Sequence, residues 1–192
     1  MNSNLAYQEE PREEMIGGKV VAMSPRPAFN HNRVAFRIAH IFENYLDGKK
    51  CTVIADGTDL FLTEEDRFIP DVMVVCDRDK IRRDGVHGAP DLVVEVLSPT
   101  TARNDKTVKK AAYAKSGVRE YWIVDPEGKS IEIYLNQDGD LVLHDVHALI
   151  PDWMLAKMTV EELAEVVTQF RCSLYDDLEI SIADVFNGLL PQ

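Results

Sequence analysis

Hydrophobic positions change period along this chain. Between residues 27 and 48, "PAFNHNRVAFRIAHIFENYLDG" carries Val34, Ile38, Ile41, Phe42 and Tyr45 as one apolar stripe at helical spacing. Asn30 is the expected N-cap, and Gly48 can end the helix in left-handed geometry. Short apolar runs of strand type follow at Thr52–Ala55, Thr58–Leu62, Ile69–Cys76 and Asp91–Leu97. The charged segment 77–88 between the last two reads as a loop. A second helix is expected over "ARNDKTVKKAAYAKSG", closed by Gly117, and then three strands with turns at 125–128 and 138–139.

The two ends differ from this middle. Residues 1–15 show no apolar period and read as a frayed start, and "GGKVVAMSP" reads as a strand entered through Gly17-Gly18 and stopped by Pro25. Near the C-terminus, Thr159 with Glu162 forms a capping box opening a helix over "TVEELAEVVTQF", and Ser181 with Asp184 repeats the signal. The order helix, strands, helix, strands predicts an α/β fold with a mixed sheet flanked by helices and a helical C-terminal addition. Residues 1–150 are expected to form the core, with 151–192 as an extension packed on the same domain.

Composition changes this picture in two respects. With 192 residues, 45% hydrophobic and 28% charged, the chain can bury a substantial core. No apolar run approaches the roughly 20 residues needed to span a membrane, and the N-terminus resembles neither a secretory nor a transit signal. Cys51, Cys76 and Cys172 are odd in number and lack close spacing, which predicts reduced thiols, a core position for Cys76 and a cytoplasmic protein. The net charge of -12 argues against a surface that grips nucleic acid everywhere, so any such contact must be local or metal-assisted.

Candidate chemistry begins with Glu95, a carboxylate at the centre of the apolar strand "GAPDLVVEVLSPTT". A buried carboxylate must neutralise or find a cation. Asp91 shares its strand face but lies about 13 Å away along the strand, too far to share an ion and more consistent with a structural role. Asp71, opening the strand in "FIPDVMVVCD", is the better companion. Two converging carboxylates stay ionised together beside a divalent cation, and oxygen donors suit Mg2+ or Mn2+. On the second helix Asp105, Lys109 and Tyr113 are spaced by four and share a face. His144 and His147 form an isolated pair, read as chance.

The PDV of "IPDVMVV", the central Glu95 and the pieces "GGKVVAMSP", "HNRVAFRI", "NDKTVKKAAYAKSGVREYWIVDP" and "DLEISIADVF" resemble, in this order, the Uma-two family of the PD-(D/E)XK nuclease superfamily. The resemblance runs from about Glu14 to Leu135, with Ala148–Leu174 as an insertion. It implies a restriction-endonuclease-like αβββαβ core and metal-dependent endonuclease activity on nucleic acid, DNA above all. It implies catalytic Asp71, Glu95 and Lys109, with Asp71, Glu95 and the Val96 carbonyl holding Mg2+ or Mn2+. Glu14 and His31 are implied as accessory residues, with Asp105 and Tyr113 beside Lys109, and a homodimer is the expectation by analogy. The chain departs from the superfamily at Leu97, where the motif has lysine. Lys109 is the expected replacement, with Lys106 and Lys110 behind it. Two other readings stay open: a catalytically silent module of the same fold, in which Glu95 merely pairs with Lys109, and a hydrolase of other substrates.

Overall fold

A computed structural model describes residues 12–23, 28–55 and 57–191. Strands β1 (Glu13–Ile16) and β2 (Lys19–Ala22) form a hairpin, followed by helix α1 (Phe29–Leu46). Then come β3 (Thr52–Ala55), β4 (Leu60–Phe61), β5 (Arg67–Phe68) and β6 (Val72–Val75). A 3-10 turn (Arg78–Lys80) leads into the hairpin β7 (Ile81–Arg82) and β8 (Gly85–His87), and β9 (Leu92–Val96) follows. Helix α2 (Ala102–Asn104), a π-helical turn (Asp105–Lys109) and α3 (Lys110–Ser116) run on from one another. Strands β10 (Glu120–Asp125), β11 (Ser130–Gln137) and β12 (Asp140–Ala148) complete the central part. The tail holds α4 (Asp152–Leu155), α5 (Val160–Ala164), β13 (Gln169–Arg171), β14 (Glu179–Ser181) and α6 (Ile182–Val185).

The main sheet has the order β12-β11-β10-β9-β6-β3. Its β9–β10 pairing is parallel and its other pairings antiparallel. Reading α1, β3, β6, β9, the α2–α3 segment and β10 in chain order gives the αβββαβ core. Both faces of the sheet are covered, which is why "VMVV", "LVVEV" and "YWIV" are nearly continuous apolar runs. Val72, Val94 and Trp122 meet Val34, Ile38 and Phe42 of α1 and the tail residues Phe170 and Ile182. Met73, Val93 and Ile123 meet Tyr113 and Ala114 of α3 and Leu60, Phe68 and Val86 of a second sheet. That second sheet has the order β2-β1-β5-β4-β8-β7. Its strands are two to four residues long, and it exists because its inner side chains share this core.

Several expectations are corrected here. Residues 13–15 are strand, not frayed start, and pair across the Gly17-Gly18 turn. Pro25 lies outside the described residues. The N-cap of α1 is Ala28, while the Asn30 side chain exchanges hydrogen bonds with the backbone of Leu190. The expected loop 77–88 contains the 3-10 turn and the β7–β8 hairpin. The capping box of Thr159 and Glu162 is present, but its helix ends at Ala164, and Gln169–Arg171 joins a hairpin. Cys51 and Cys76 are joined as a disulfide, against the expected reduced thiols. The antiparallel register Thr52↔Val75 places them opposite each other one step beyond the paired residues, a proximity that linear spacing does not reveal.

Two further contacts hold the architecture. Glu120 is wholly buried at the head of β10. It accepts the Trp122 indole N–H at 2.6 Å and the Ser173 backbone N–H at 2.8 Å, tying the tail to the sheet. On the edge strand β12, Leu149 N–H donates to the Lys129 carbonyl, so the intervening N–H of Val146 turns outward. It donates instead to Asp145 Oδ1 at 2.8 Å.

Gly85 and Gly117 make a contrasting pair. A Cβ at Gly85 would sit 2.3 Å from the Asp59 carbonyl oxygen, which also accepts the Val86 N–H linking β8 to β4. A Cβ at Gly117 would meet nothing, and only the left-handed φ of 92° opposes it. Gly117→Ala is therefore expected to cost about 1–2 kcal/mol and Gly85→Ala about 3 kcal/mol or more, read from urea unfolding.

Candidate active site

Side-chain alternation along β9 puts Val94 and Val96 toward α1 and sends Glu95 to the side of α3 and the second sheet. The register Val72↔Val94 between β6 and β9, extended by one residue, sets Asp71 opposite Glu95. β1 pairs with β5 through Met15↔Arg67, and this brings Glu14 to the same place. The fourth wall is the helical segment after β9. Its π-helical turn buries its two ends, Asp105 and Lys109, while residues 106–108 face solvent. Such widened turns recur at functional sites. Lys109 and Tyr113 then fall one above the other.

The result is a buried cluster around one ammonium group. Lys109 Nζ lies 2.9 Å from Glu14 Oε1, 3.1 Å from Glu95 Oε1 and 3.5 Å from Asp105 Oδ1. Tyr113 O–H donates to Glu95 Oε1 at 2.7 Å, and the Ile69 N–H donates to Glu14 Oε1 at 3.0 Å. Asp71 Oδ2 accepts the Val96 N–H at 2.7 Å and stands 3.3 Å from His31 Nε2. Glu95 and Lys109 are only 3% and 4% exposed. Asp71 and His31 form the more open side.

Acid exceeds base here. Burial raises the Glu95 pKa well above its ordinary value. Lys109 opposes that shift, while the charges of Asp105, Asp71 and Glu14 add to it. Asp105 is raised for the same first reason, against Lys109 and a hydrogen bond from Thr101. Burial works against the charged form of Lys109, but Glu95, Glu14 and Asp105 outweigh it and hold its pKa above the usual lysine value. The directions agree physically: one ammonium stays charged and cannot keep every surrounding carboxylate ionised. Tyr113 is raised by burial and then by Glu95, so its phenol remains a donor.

The structure brings Glu14, Asp71, Glu95, Asp105, Lys109 and Tyr113 together, with His31 against Asp71. Lys106 instead reaches Glu132 at 2.7 Å, and Lys110 lies over the Tyr134 ring. Leu97 packs against the core on the α3 side. Asp91 accepts the Cys76 N–H, a structural use. His147 stacks on Phe170 and pairs with Asp145, at a groove of about 530 Å3 beside the tail. Residue patterns missed Tyr121, whose O–H donates to the Asp105 carbonyl at 3.0 Å, and Phe68, whose ring meets Tyr113 in a T-shaped contact. Alternation in "EYWIV" could have placed Tyr121 on the Glu95 side, since Ile123 pairs with Glu95.

Among the described residues, no three His, Cys, Asp or Glu side chains are arranged around a metal position. The donor chemistry nevertheless fits a hard divalent ion: three carboxylates face one ammonium, Asp71 adds its charge beside Glu95, and Asp105 Oδ1 is buried without a hydrogen-bond partner.

A raised carboxyl pKa stabilises the fold fully below the unfolded value and loses that contribution as pH rises through the folded value. The metal-free protein should therefore lose the Glu95 contribution progressively above pH 4.5, the ordinary value, until the raised one is passed. Glu95→Gln should flatten that part of the profile. Thermal unfolding midpoints of both proteins against pH, in chelator, measure the difference.

The sequence matches the Uma2 family model, described as "Putative restriction endonuclease", over residues 3–167. An uncharacterized protein of Synechocystis sp. is 31% identical over 149 residues, covering 75% of this chain and 78% of that one. The crystal structure of "a putative nuclease belonging to DUF820" from Anabaena variabilis superposes with a TM-score of 0.66 at 20% identity, covering 93% of this chain and 91% of that one. The structural likeness is one of fold. The family match spans most of the chain, and the chain belongs to the Uma2 family of restriction-endonuclease-like proteins.

Proposed function

We propose that this chain is a metal-dependent nuclease that hydrolyses phosphodiester bonds, with DNA as its substrate. The observation that carries the reading is the surplus of carboxylates from three different elements around Lys109, within a fold of the nuclease family. Asp71 and Glu95 would hold Mg2+ or Mn2+, with the Val96 carbonyl as a further oxygen donor. When bound, such an ion supplies charge stabilisation at a phosphoryl oxygen and acidifies water. Tyr113 holds Glu95, and the Val96 N–H holds Asp71, so both carboxylates stand in place before substrate arrives. Lys109 supplies positive charge to the phosphate or orients the attacking water. His31, 3.3 Å from Asp71 on the more open side, would receive or give a proton at the rim. The net charge of -12 confines substrate contact to this local region and makes it salt-sensitive.

The Lys109–Glu95 ion pair favours a second reading, a silent module whose acidic cluster is balanced internally. Mn2+ binding separates the two. In the nuclease reading, the protein binds Mn2+ by calorimetry and nicks supercoiled DNA in Mg2+ or Mn2+ but not in chelator. Asp71→Ala and Glu95→Ala should each lower cleavage by about a thousandfold or more and weaken Mn2+ binding, with the fold intact by circular dichroism. Mn2+ binding unchanged in both variants contradicts the assignment.

A further inference from the structure

We propose that Lys109 is the built-in counter-cation of the acidic cluster, and that a divalent ion enters by displacing its ammonium from Glu14 and Glu95. This rests on the metal-dependent reading above and adds an order of events to it. The ammonium already occupies the point where Glu14 Oε1, Glu95 Oε1 and Asp105 Oδ1 converge, at 2.9, 3.1 and 3.5 Å. An ion held by Asp71 and Glu95 meets the ammonium at Glu95, the ligand the two share, and two cations cannot take the same carboxylate oxygen at contact distance.

The carboxylates do not depend on Lys109 for their positions. Glu14 is held by the Ile69 N–H, Glu95 by the Tyr113 O–H and Asp71 by the Val96 N–H. Lys109, by contrast, is held through its ammonium, by the three carboxylates and by the Phe68 ring 5.7 Å away, on a flexible four-carbon stem. If the lysine swings away, Glu14 and Glu95 keep the positions these bonds give them, with Asp71 opposite Glu95 on the next strand. The less buried members, Asp71 and His31, mark the side toward which it can move, with side-chain exposures of 14% and 12%. The same residue then has two successive places: it balances the cluster before the ion arrives and faces the substrate phosphate afterwards.

Amine acylation read by mass spectrometry tests this on the wild-type protein, with Mn2+ alone as the probe. Without Mn2+, Lys109 should stay unmodified while the exposed Lys106 reacts. At a Mn2+ concentration shown by calorimetry to saturate the protein, Lys109 should be labelled at least about tenfold faster, as expected for a buried amine brought into solvent. Lys109→Met should bind Mn2+ about tenfold or more tightly, because a resident competitor is gone, even though turnover falls. If the variant does not fold, the wild-type labelling decides alone. Lys109 remaining protected at saturating Mn2+ overturns the displacement and leaves the metal-dependent reading standing. Unchanged or weaker binding in folded Lys109→Met does the same. Failure of the wild-type protein to bind Mn2+ overturns both.

Discussion

The buried charge of Lys109 organises the described part of this molecule. Lys109 is the point at which the main sheet, the second sheet and the helix after β9 meet electrostatically: Glu95 comes from the first, Glu14 from the second, and Asp105 from the same turn as the lysine. Remove the charge and several carboxylates face one another in a low-dielectric interior, where each unbalanced ion costs several kcal/mol. Hydrophobic burial alone would let these layers slide or rotate. A charge cluster with separations of 2.9–3.5 Å favours one arrangement of the layers over the others.

The apolar framework makes that arrangement possible. Because both faces of β6, β9 and β10 are covered, Glu95 is only 3% exposed and is satisfied largely from within. The aromatic residues Phe68, Tyr113 and Tyr121 pack around the cluster, with the two tyrosines turning their hydroxyls to Glu95 and the Asp105 carbonyl. Amphipathic rings thus serve both the core and the charged group. The π-helical turn performs a related task, since its two inward ends are the acid and the base that must coincide.

What could be read in advance follows from which contacts are local. The αβββαβ order was legible because β6, β9 and β10 are long apolar runs and α1 has a clear stripe. Lys109 was legible beside Glu95 because helical spacing puts it on the face of Tyr113. The second sheet was legible only in part: β2 and β4 lie inside the strands expected at "GGKVVAMSP" and Thr58–Leu62, while β1 and β5 are too short or too acidic in setting to show alternation and β7–β8 sits in a stretch rich in charge. Glu14 therefore entered only through family resemblance. Its strand lies in an acidic stretch and gains meaning only when β5 and Lys109 are present. The Cys51–Cys76 bond and the β13–β14 hairpin were hidden for the same reason, since register between distant segments is a property of the folded sheet.

The outer edge of β12 shows how a nine-residue border strand is blunted. It exposes Val142, Leu143 and Val146, the kind of row on which another chain could extend the ladder. Yet the Val146 donor is already capped by Asp145, whose other oxygen lies 3.2 Å from His147. An incoming strand would meet a satisfied amide and a carboxylate where it needs an open donor. One aspartate thereby removes a donor from the edge at this position and sets a charge beside it, so that strand addition is least favoured where the border is most apolar.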